Sequence, residues 1–308
     1  LALASLASRR GYEILLVEKN AQVAQETSAN SLRIIHGGLR YFQTLNFKRI
    51  IQSIKAQEDL LKTYPNWVSR LECTLLLPRS LILPAFGLAI AYNLVTRLLT
   101  GKQNGALVKP IELFNNKLGL TWNDAVITDY DGLVSSIKNE IKGEILTNTT
   151  ALEFKDKNTL ITDQGELSAD FWVLMGGPMC KLATRKELCF GWNLIFKGNS
   201  KCAFGVKSNG RFMFVVSRDG EVAAGTWYTE SPPSQLEIHR AETEIRQLVP
   251  EIYFGELLKV ELGALPGKTP TDRIEIIRHS THLEVITPKL TTMFSQAEQV
   301  LDNIENSS

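Results

Sequence analysis

Two uninterrupted apolar runs constrain the fold more than anything else in the chain. One lies within Tyr12 to Val17, unbroken from Ile14 onward, and closes in Glu18; the other, DFWVLMGGP, runs from Asp170 into Gly176, Gly177 and Pro178. A strand that is apolar on both sides has to be covered on both faces, as central strands of a helix-flanked parallel sheet are. Ahead of the first run, Leu1 to Arg10 alternate small and apolar residues like a closely packed helix, and Gly11 supplies its stop. Helix, stop and strand make the second half of a βαβ unit, so the chain reads as α/β.

An acidic residue closing the second strand, about 20 residues after a Gly-rich turn, hydrogen-bonds a ribose in dinucleotide-binding folds. Counting back from Glu18 puts such a turn at or before residue 1, and the chain is expected to start inside a longer protein. Any α/β strand can end in Glu, so spacing alone leaves Glu18 open between a ribose ligand and a surface carboxylate.

Beyond residue 46 the pattern changes. A helix is expected from about Phe47 to Tyr64, then a strand at CTLLLP and a short helix near Pro110. ALEFKDKN and TLITDQGEL read as hairpins. From Gly191 to Tyr228 the reading is antiparallel, with Asn209-Gly210 and Asp219-Gly220 as hairpin turns. An amphipathic helix over 234–248, two further strand regions and a last helix from Lys289 to Ile304 complete the chain. The order implies two interleaved layers, an α/β nucleotide-binding layer and a largely antiparallel β layer.

Charge and cysteine content exclude several functions. Against 34 basic side chains stand 33 acidic ones, mixed along the chain, which is not the footprint of a nucleic-acid binder. Cys73, Cys180, Cys189 and Cys202 form no CxxC, and read as reduced cytosolic thiols. His279 and His282, three apart in an expected strand, would point to opposite faces, so no metal site is read there. His239 lies in a charged helix, and no serine sits in a glycine-flanked elbow. Residues 80–96 carry no charge and are closed by Arg79 and Arg97. They read as a buried helix, with a helix lying in a membrane interface as the alternative.

SLRIIHGGLRYF, residues 31–42, places Gly37 and Gly38 between His36 and Arg40. A Gly-Gly turn with solvated flanks is the plain reading. Together with ILLVEKN and ETSANS before it, however, the segment resembles FAD-dependent glycerol-3-phosphate dehydrogenases. MGGP at 175–178, LIFKGNS at 194–200 and PKLTT at 288–292 are similar to further segments of that family, in the same order and over nearly the whole chain. The resemblance implies an amino-acid-oxidase-type flavoprotein, with an FAD-binding Rossmann-like domain interleaved with a largely antiparallel β substrate domain. Residues 1–45, 125–185 and 283–308 would form the first, and 46–124 and 186–282 the second.

It also implies oxidation of the secondary alcohol of glycerol 3-phosphate to dihydroxyacetone phosphate, hydride passing to FAD and on to a quinone-type acceptor. Such a protein would be cytoplasmic or peripheral on the inner face of a membrane, touching it through residues 80–99. Hydride transfer needs the substrate carbon close to the flavin ring, so the wall should be bare main chain at Gly37, Gly38 and Leu39. His36 would accept the hydroxyl proton, while Arg40 with Tyr41, Lys197 and Arg278 would hold the phosphorylated substrate. The cofactor would meet Glu18, Lys19, Thr27 and Ser28 at one end. At the other it would meet Gly176 and Gly177, and the start of the last helix at Lys289, Leu290 and Thr291.

Two positions depart from the family pattern. Leu265, in LGALPG, stands where the family carries a substrate-contacting arginine; Arg278 matches another family arginine and Arg273 lies nearby. Thr287-Pro288 replaces two glycines, and is expected to cap the last helix with Thr287 at the N-cap. These departures keep two alternatives open: a flavoprotein acting on another hydroxy or amino acid, or a non-catalytic flavin-binding subunit.

Overall fold

The computed structural model describes residues 1–39, 41, 46–101, 105–185, 187–198, 203–208, 211–218, 220–269, 274–287 and 290–306. The expected roles of Arg40, Arg273, Pro288 and Lys289, and the Asn209-Gly210 turn, therefore lie outside the described residues.

The chain opens with α1 (Ala2–Arg9), β1 (Ile14–Val17), β2 (Ile34–Ile35), α2 (Phe47–Thr63) and β3 (Val68–Leu76). It continues through α3 (Ile82–Thr100), β4 (Leu107–Ile111), β5 (Lys117–Ile127), α4 (Tyr130–Asn139) and β6 (Gly143–Leu146). Then come β7 (Ala151–Phe154), β8 (Thr159–Thr162), β9 (Gly165–Ser168), β10 (Val173–Leu174), β11 (Leu188–Lys197) and β12 (Ala203–Ser208). It closes with β13 (Arg211–Arg218), β14 (Glu221–Thr229), α5 (Gln235–Leu248), β15 (Leu257–Pro266), β16 (Glu275–Arg278), β17 (Leu283–Ile286) and α6 (Met293–Glu305).

Two strand pairings are parallel outside the large sheet. β1 runs beside β6 with Leu16 opposite Ile145, and β10 runs beside β17, which β16 extends in antiparallel fashion. A nine-stranded sheet carries the rest in the order β15-β11-β14-β13-β12-β3-β5-β2, with β4 also on β5. β7 to β9 form a separate antiparallel meander, at the stretch read as hairpins. α2 and α3 cover one face of the large sheet through Ile50, Ile54, Ala89 and Tyr92, which pack with Trp122 and Phe214. α5 covers another part through Ala241 and Ile245 against Trp192 and Phe196.

Caps fix where helices start. Asn46 accepts from Arg49 N–H ahead of α2, Asp129 accepts from Gly132 N–H ahead of α4, and Ser234 with Glu237 forms a reciprocal box at α5. At α3 the stop is Gly101, at φ +72°.

Several expectations are corrected. The region of Pro110 is strand β4, because Leu107 to Ile111 pair along β5, and proline is tolerated there at a strand with one partner among the described residues. α6 begins at Met293 with Thr292 in the N-cap position and no side-chain cap hydrogen bond, so Thr287 does not cap it. β1 is half-buried along its length, since among the described residues it has a strand on one side only. α3 is buried on one face alone: Ala85, Ala89, Tyr92 and Thr96 point inward, while Leu83, Phe86, Ile90, Leu94 and Leu98 are exposed. Finally, His279 and His282 flank the turn between β16 and β17 instead of lying within one strand. Their rings stack at 4.4 Å, so they share a face.

Candidate active site

β2 is only two residues long, and its pairing decides where His36 goes. Ile34 lies opposite Val126 and Ile35 opposite Ala125, so continuing the register brings His36 to Asp124. Directly opposed residues in an antiparallel pair project to the same face. His36 Nδ1 lies 2.8 Å from Asp124 Oδ2, and Gly37 N–H donates to Asp124 Oδ1 at 2.7 Å. The carboxylate is 1% exposed and the imidazole 17% exposed, so the ring is reached from outside while its partner is not. The ring of Phe214, on β13, lies 5.1 Å from that of His36. Behind the segment, the Tyr92 hydroxyl donates to Gly37 O at 2.7 Å, and Gln57 Nε2 to Ile35 O at 3.0 Å.

Gly38 has φ +95°, and a β-carbon there would lie 2.9 Å from the Ile50 carbonyl oxygen and 3.1 Å from Ile50 Cα. The demand for glycine at 38 thus comes from the backbone of α2. Leu39 and Tyr41 are buried just beyond, and Tyr41 N–H donates to Gly38 O at 2.9 Å.

Residues 27–31 run along β15. Thr27 Oγ1 donates to Ala264 O at 2.8 Å, and a β-carbon at Gly263 would come within 2.8 Å of Thr27 Cγ2, so glycine admits the loop. Ser28 O accepts from Ser31 Oγ at 2.9 Å. Asn30 Nδ2 donates to Leu262 O, and Asn193 Nδ2 to Asn30 O, both at 2.8 Å. Arg218, paired in the interior with Glu261, donates through Nη1 to Ser31 O at 2.8 Å. Upstream, Tyr130 OH donates to Ala24 O at 2.7 Å, and burial pushes its phenol up to about 12.

An open cleft lies at the carboxyl ends of β10 and β17. Gly176, Gly177, Thr287, Pro266 and Glu284 are among its lining residues. Gly176 and Gly177 are exposed there, Gly177 at φ +68°. Burial alone would raise the Glu284 carboxyl, but hydrogen bonds from the Thr184 side chain and backbone, with His279 at 3.1 Å, outweigh it and hold the group below the usual range. Pro266 is two residues along β15 from Ala264, so the 27–31 loop connects the cleft with the strands beside His36.

The remaining residues named from sequence fall as follows. Glu18 Oε1 accepts from Asn20 N–H at 2.9 Å, and Oε2 takes no hydrogen bond among the described residues. Lys19 pairs with Glu26 at 3.1 Å and draws that carboxyl below its ordinary value. Leu290 packs into the core around α2 and α4, and Thr291 beside it is half-buried. Lys197 is exposed at the far end of β11, four positions from Asn193. Arg278, at the end of β16, is exposed and donates to Asn303 Oδ1 at 3.2 Å. His36 and Gly37 are therefore brought together on Asp124, and the 27–31 loop is held along β15 and against Arg218 of β13, while Lys197 and Arg278 stand apart by register and sheet.

Sequence reasoning missed Asp124 and Tyr92. Asp124 had a signal, as the single carboxylate of β5, between Trp122 and Val126 on one strand face. Tyr92 had none, because inside an uncharged helix it reads as core.

FAD fits the residues present. Bare backbone at Gly176-Gly177 opens on a cleft at the carboxyl ends of parallel strands, where nucleotides bind in such sheets, and Glu18 keeps an acceptor oxygen for a ribose hydroxyl. A parallel α/β layer beside a large mixed sheet, with this cleft at its strand ends, defines a Rossmann-like nucleotide-binding oxidoreductase fold. Residues 1–292 match the family described as FAD dependent oxidoreductase, and the chain belongs to that family, whose cofactor is FAD. Among its relatives, the glycerol-3-phosphate dehydrogenase of Synechocystis sp. is 42% identical over 66 residues, 21% of this chain and 12% of that protein. The aerobic glycerol-3-phosphate dehydrogenase of Escherichia coli is 28% identical over 171 residues, 51% of this chain. That match spans a third of the relative, 33% of its length. The glycerol-3-phosphate dehydrogenase of Bacillus halodurans, solved with FAD, shares the fold at a TM-score of 0.69 and 18% identity, over 99% of this chain and 62% of that one.

Proposed function

We propose that this chain forms the flavin-dependent core of a dehydrogenase that oxidises the secondary alcohol of glycerol 3-phosphate to dihydroxyacetone phosphate. The observation that carries the reading is the His36–Asp124 contact at 2.8 Å, which gives the segment of the family resemblance an oriented proton acceptor. Bound flavin supplies the hydride acceptor. The chain's residues supply the rest: His36 takes the hydroxyl proton as the C–H bond breaks, and the 36–39 backbone forms the wall beside the reacting carbon. Arg40, two residues beyond Gly38, is the cation assigned to the phosphate. Arg278 is engaged with Asn303 and Lys197 lies at the far end of β11, which supports Arg40 over both.

A second reading has one observation in its favour. Leu265 lies opposite Cys189 on β15, with its methyl 3.3 Å from where a β-carbon at Gly191 would sit, so an apolar side chain occupies the position of a family arginine. This favours a substrate with less negative charge, such as another hydroxy acid or an amino acid. Electrons would leave for a quinone-type acceptor, and the exposed face of α3 is where the protein would touch a bilayer.

The test is the visible spectrum of the flavin-loaded protein under anaerobic conditions. Bleaching on addition of glycerol 3-phosphate is expected. Bleaching only by an amino acid or an uncharged hydroxy compound would shift the assignment to the second reading, and no bleaching by any of them would end both.

A further inference from the structure

Asp124 sits where the physics of the fold alone would place an apolar residue. Its neighbours Trp122 and Val126 on the same face of β5, with Leu120, Tyr92 and Phe214, belong to one apolar cluster. Taking a carboxylate out of water is costly unless hydrogen bonds replace its hydration. Here the replacements are two N–H groups, His36 Nδ1 and Gly37 N, and among the described residues His36 is its one ionisable partner. A carboxylate only accepts, so a ring facing it at 2.8 Å carries a proton on Nδ1, and in its neutral form has its lone pair on Nε2. The second oxygen, on Gly37 N–H, stops the carboxylate from rotating away from the ring. The carbonyl of the same glycine takes the hydroxyl of Tyr92, a fully buried side chain on α3. Both polar groups of Gly37 are thus held by buried side chains from two different elements.

We infer that Asp124 and Tyr92 are positioning residues for the oxidation: Asp124 sets His36 in the tautomer that can accept a proton at Nε2, and Asp124 and Tyr92 together fix the Gly37 backbone beside it. The inference rests on the reading of His36 as the proton acceptor. It predicts that the two residues act differently, because only Asp124 touches the ring.

The deciding substitution is Asp124→Asn, which keeps size and shape. With its carbonyl on Gly37 N–H, the asparagine turns its amide N–H toward Nδ1, and the ring proton must move to Nε2. The expected result is inversion of the His36 tautomer, read in nitrogen-15 spectra of histidine-labelled protein. The four histidines are distinguished by a His36→Gln control. Removing a correctly oriented base costs about 10²- to 10⁴-fold in rate. The rate of flavin reduction should fall in that range, with KM and flavin affinity changing less than about threefold. Tyr92→Phe should leave the tautomer unchanged and lower kcat about tenfold, the equivalent of one hydrogen bond of ordinary strength.

Two results would overturn the inference: a wild-type His36 with its proton on Nε2, or an Asp124→Asn protein that reduces flavin within threefold of wild type. The wild-type tautomer decides the matter even if Asp124→Asn fails to fold. It also separates the two proposals, since the Nδ1–H form can be found in a protein that ignores glycerol 3-phosphate.

Discussion

Gly11 and Gly38 share a φ of +95° and differ in what surrounds them. A β-carbon at Gly11 would meet nothing within 4 Å, whereas at Gly38 it would lie 2.9 Å from the Ile50 oxygen and 3.1 Å from its Cα. Alanine at either site takes on the same left-handed cost, about 1–2 kcal/mol, offset by about 0.4–1 kcal/mol from the stiffer unfolded chain. Gly11→Ala should therefore cost about 1 kcal/mol. At Gly38 the obstacle is the backbone of a helix whose Ile50 is fully buried, so no rotamer change relieves it and an overpacking cost of about 1–3 kcal/mol is added. Urea unfolding should show Gly38→Ala less stable than Gly11→Ala by that difference.

The strain has a direction. Ile50 belongs to a helix anchored at its N-cap by Asn46, so the 36–39 segment is the part that yields. Yielding pulls Gly37 N–H off the 2.7 Å contact with Asp124. Flavin reduction should fall at least tenfold in Gly38→Ala and stay unchanged in Gly11→Ala. Equal destabilisation of the two variants, or full activity in Gly38→Ala, would refute the reasoning.

The His282 imidazole is held below its ordinary value by burial and then by the charge of His279, and its Nε2 is buried without a partner. A depressed folded value means the unfolded chain takes up the proton first, so stability present above about pH 6.5 is lost as pH falls through that window. A second loss follows below the ordinary carboxylate range, where Glu284 is protonated in the unfolded chain first. Comparing urea midpoints at pH 7.5 and 5.5, His282→Phe, which keeps the 3.9 Å stack on Phe154, should lose less stability than wild type; an equal loss would exclude His282 as the source. On α3, Ile90 and Leu94 are 71% and 58% exposed, so Ile90→Glu with Leu94→Glu should leave the melting temperature nearly unchanged. Each removes about 1.5–3 kcal/mol of apolar transfer, enough to abolish flotation with phosphatidylglycerol–phosphatidylethanolamine vesicles. Flotation of the double variant equal to wild type would rule out this face as the contact.

What the sequence discloses about this protein follows the range of the forces involved. Periodicity and turn chemistry are local, so α2, α5, the β7–β9 meander and the antiparallel strands after Gly191 could be read directly. Boundaries set by tertiary contact could not. Residues 107–111 look helical or irregular around Pro110 until β5 pairs with them, and the start of α6 moves from Thr287 to Thr292. The histidine pair shows the same limit in reverse: three residues apart means opposite faces in a strand and one face across a hairpin turn, and only the turn decides.

The candidate site was legible to the extent that its chemistry is contiguous. His36, Gly37 and Gly38 announce themselves in one motif, and Glu18 and Gly176 sit at the ends of apolar runs. Asp124 is 88 residues from His36, and what joins them is the register of a two-residue strand. A search for a single carboxylate flanked on its own strand face by apolar residues, here Trp122 and Val126, would have found Asp124, since burial without a Lys or Arg partner leaves catalysis or binding as its use. Tyr92 would have escaped even that search. Its hydroxyl makes it a brace for Gly37 only because α3 lies with one face on the sheet and the other exposed. An uncharged run of 17 residues cannot reveal which side faces in. The helix that offers an apolar surface outward thus also holds, through one buried phenol, the backbone beside the proposed base, and the two roles fall on opposite faces of the same element.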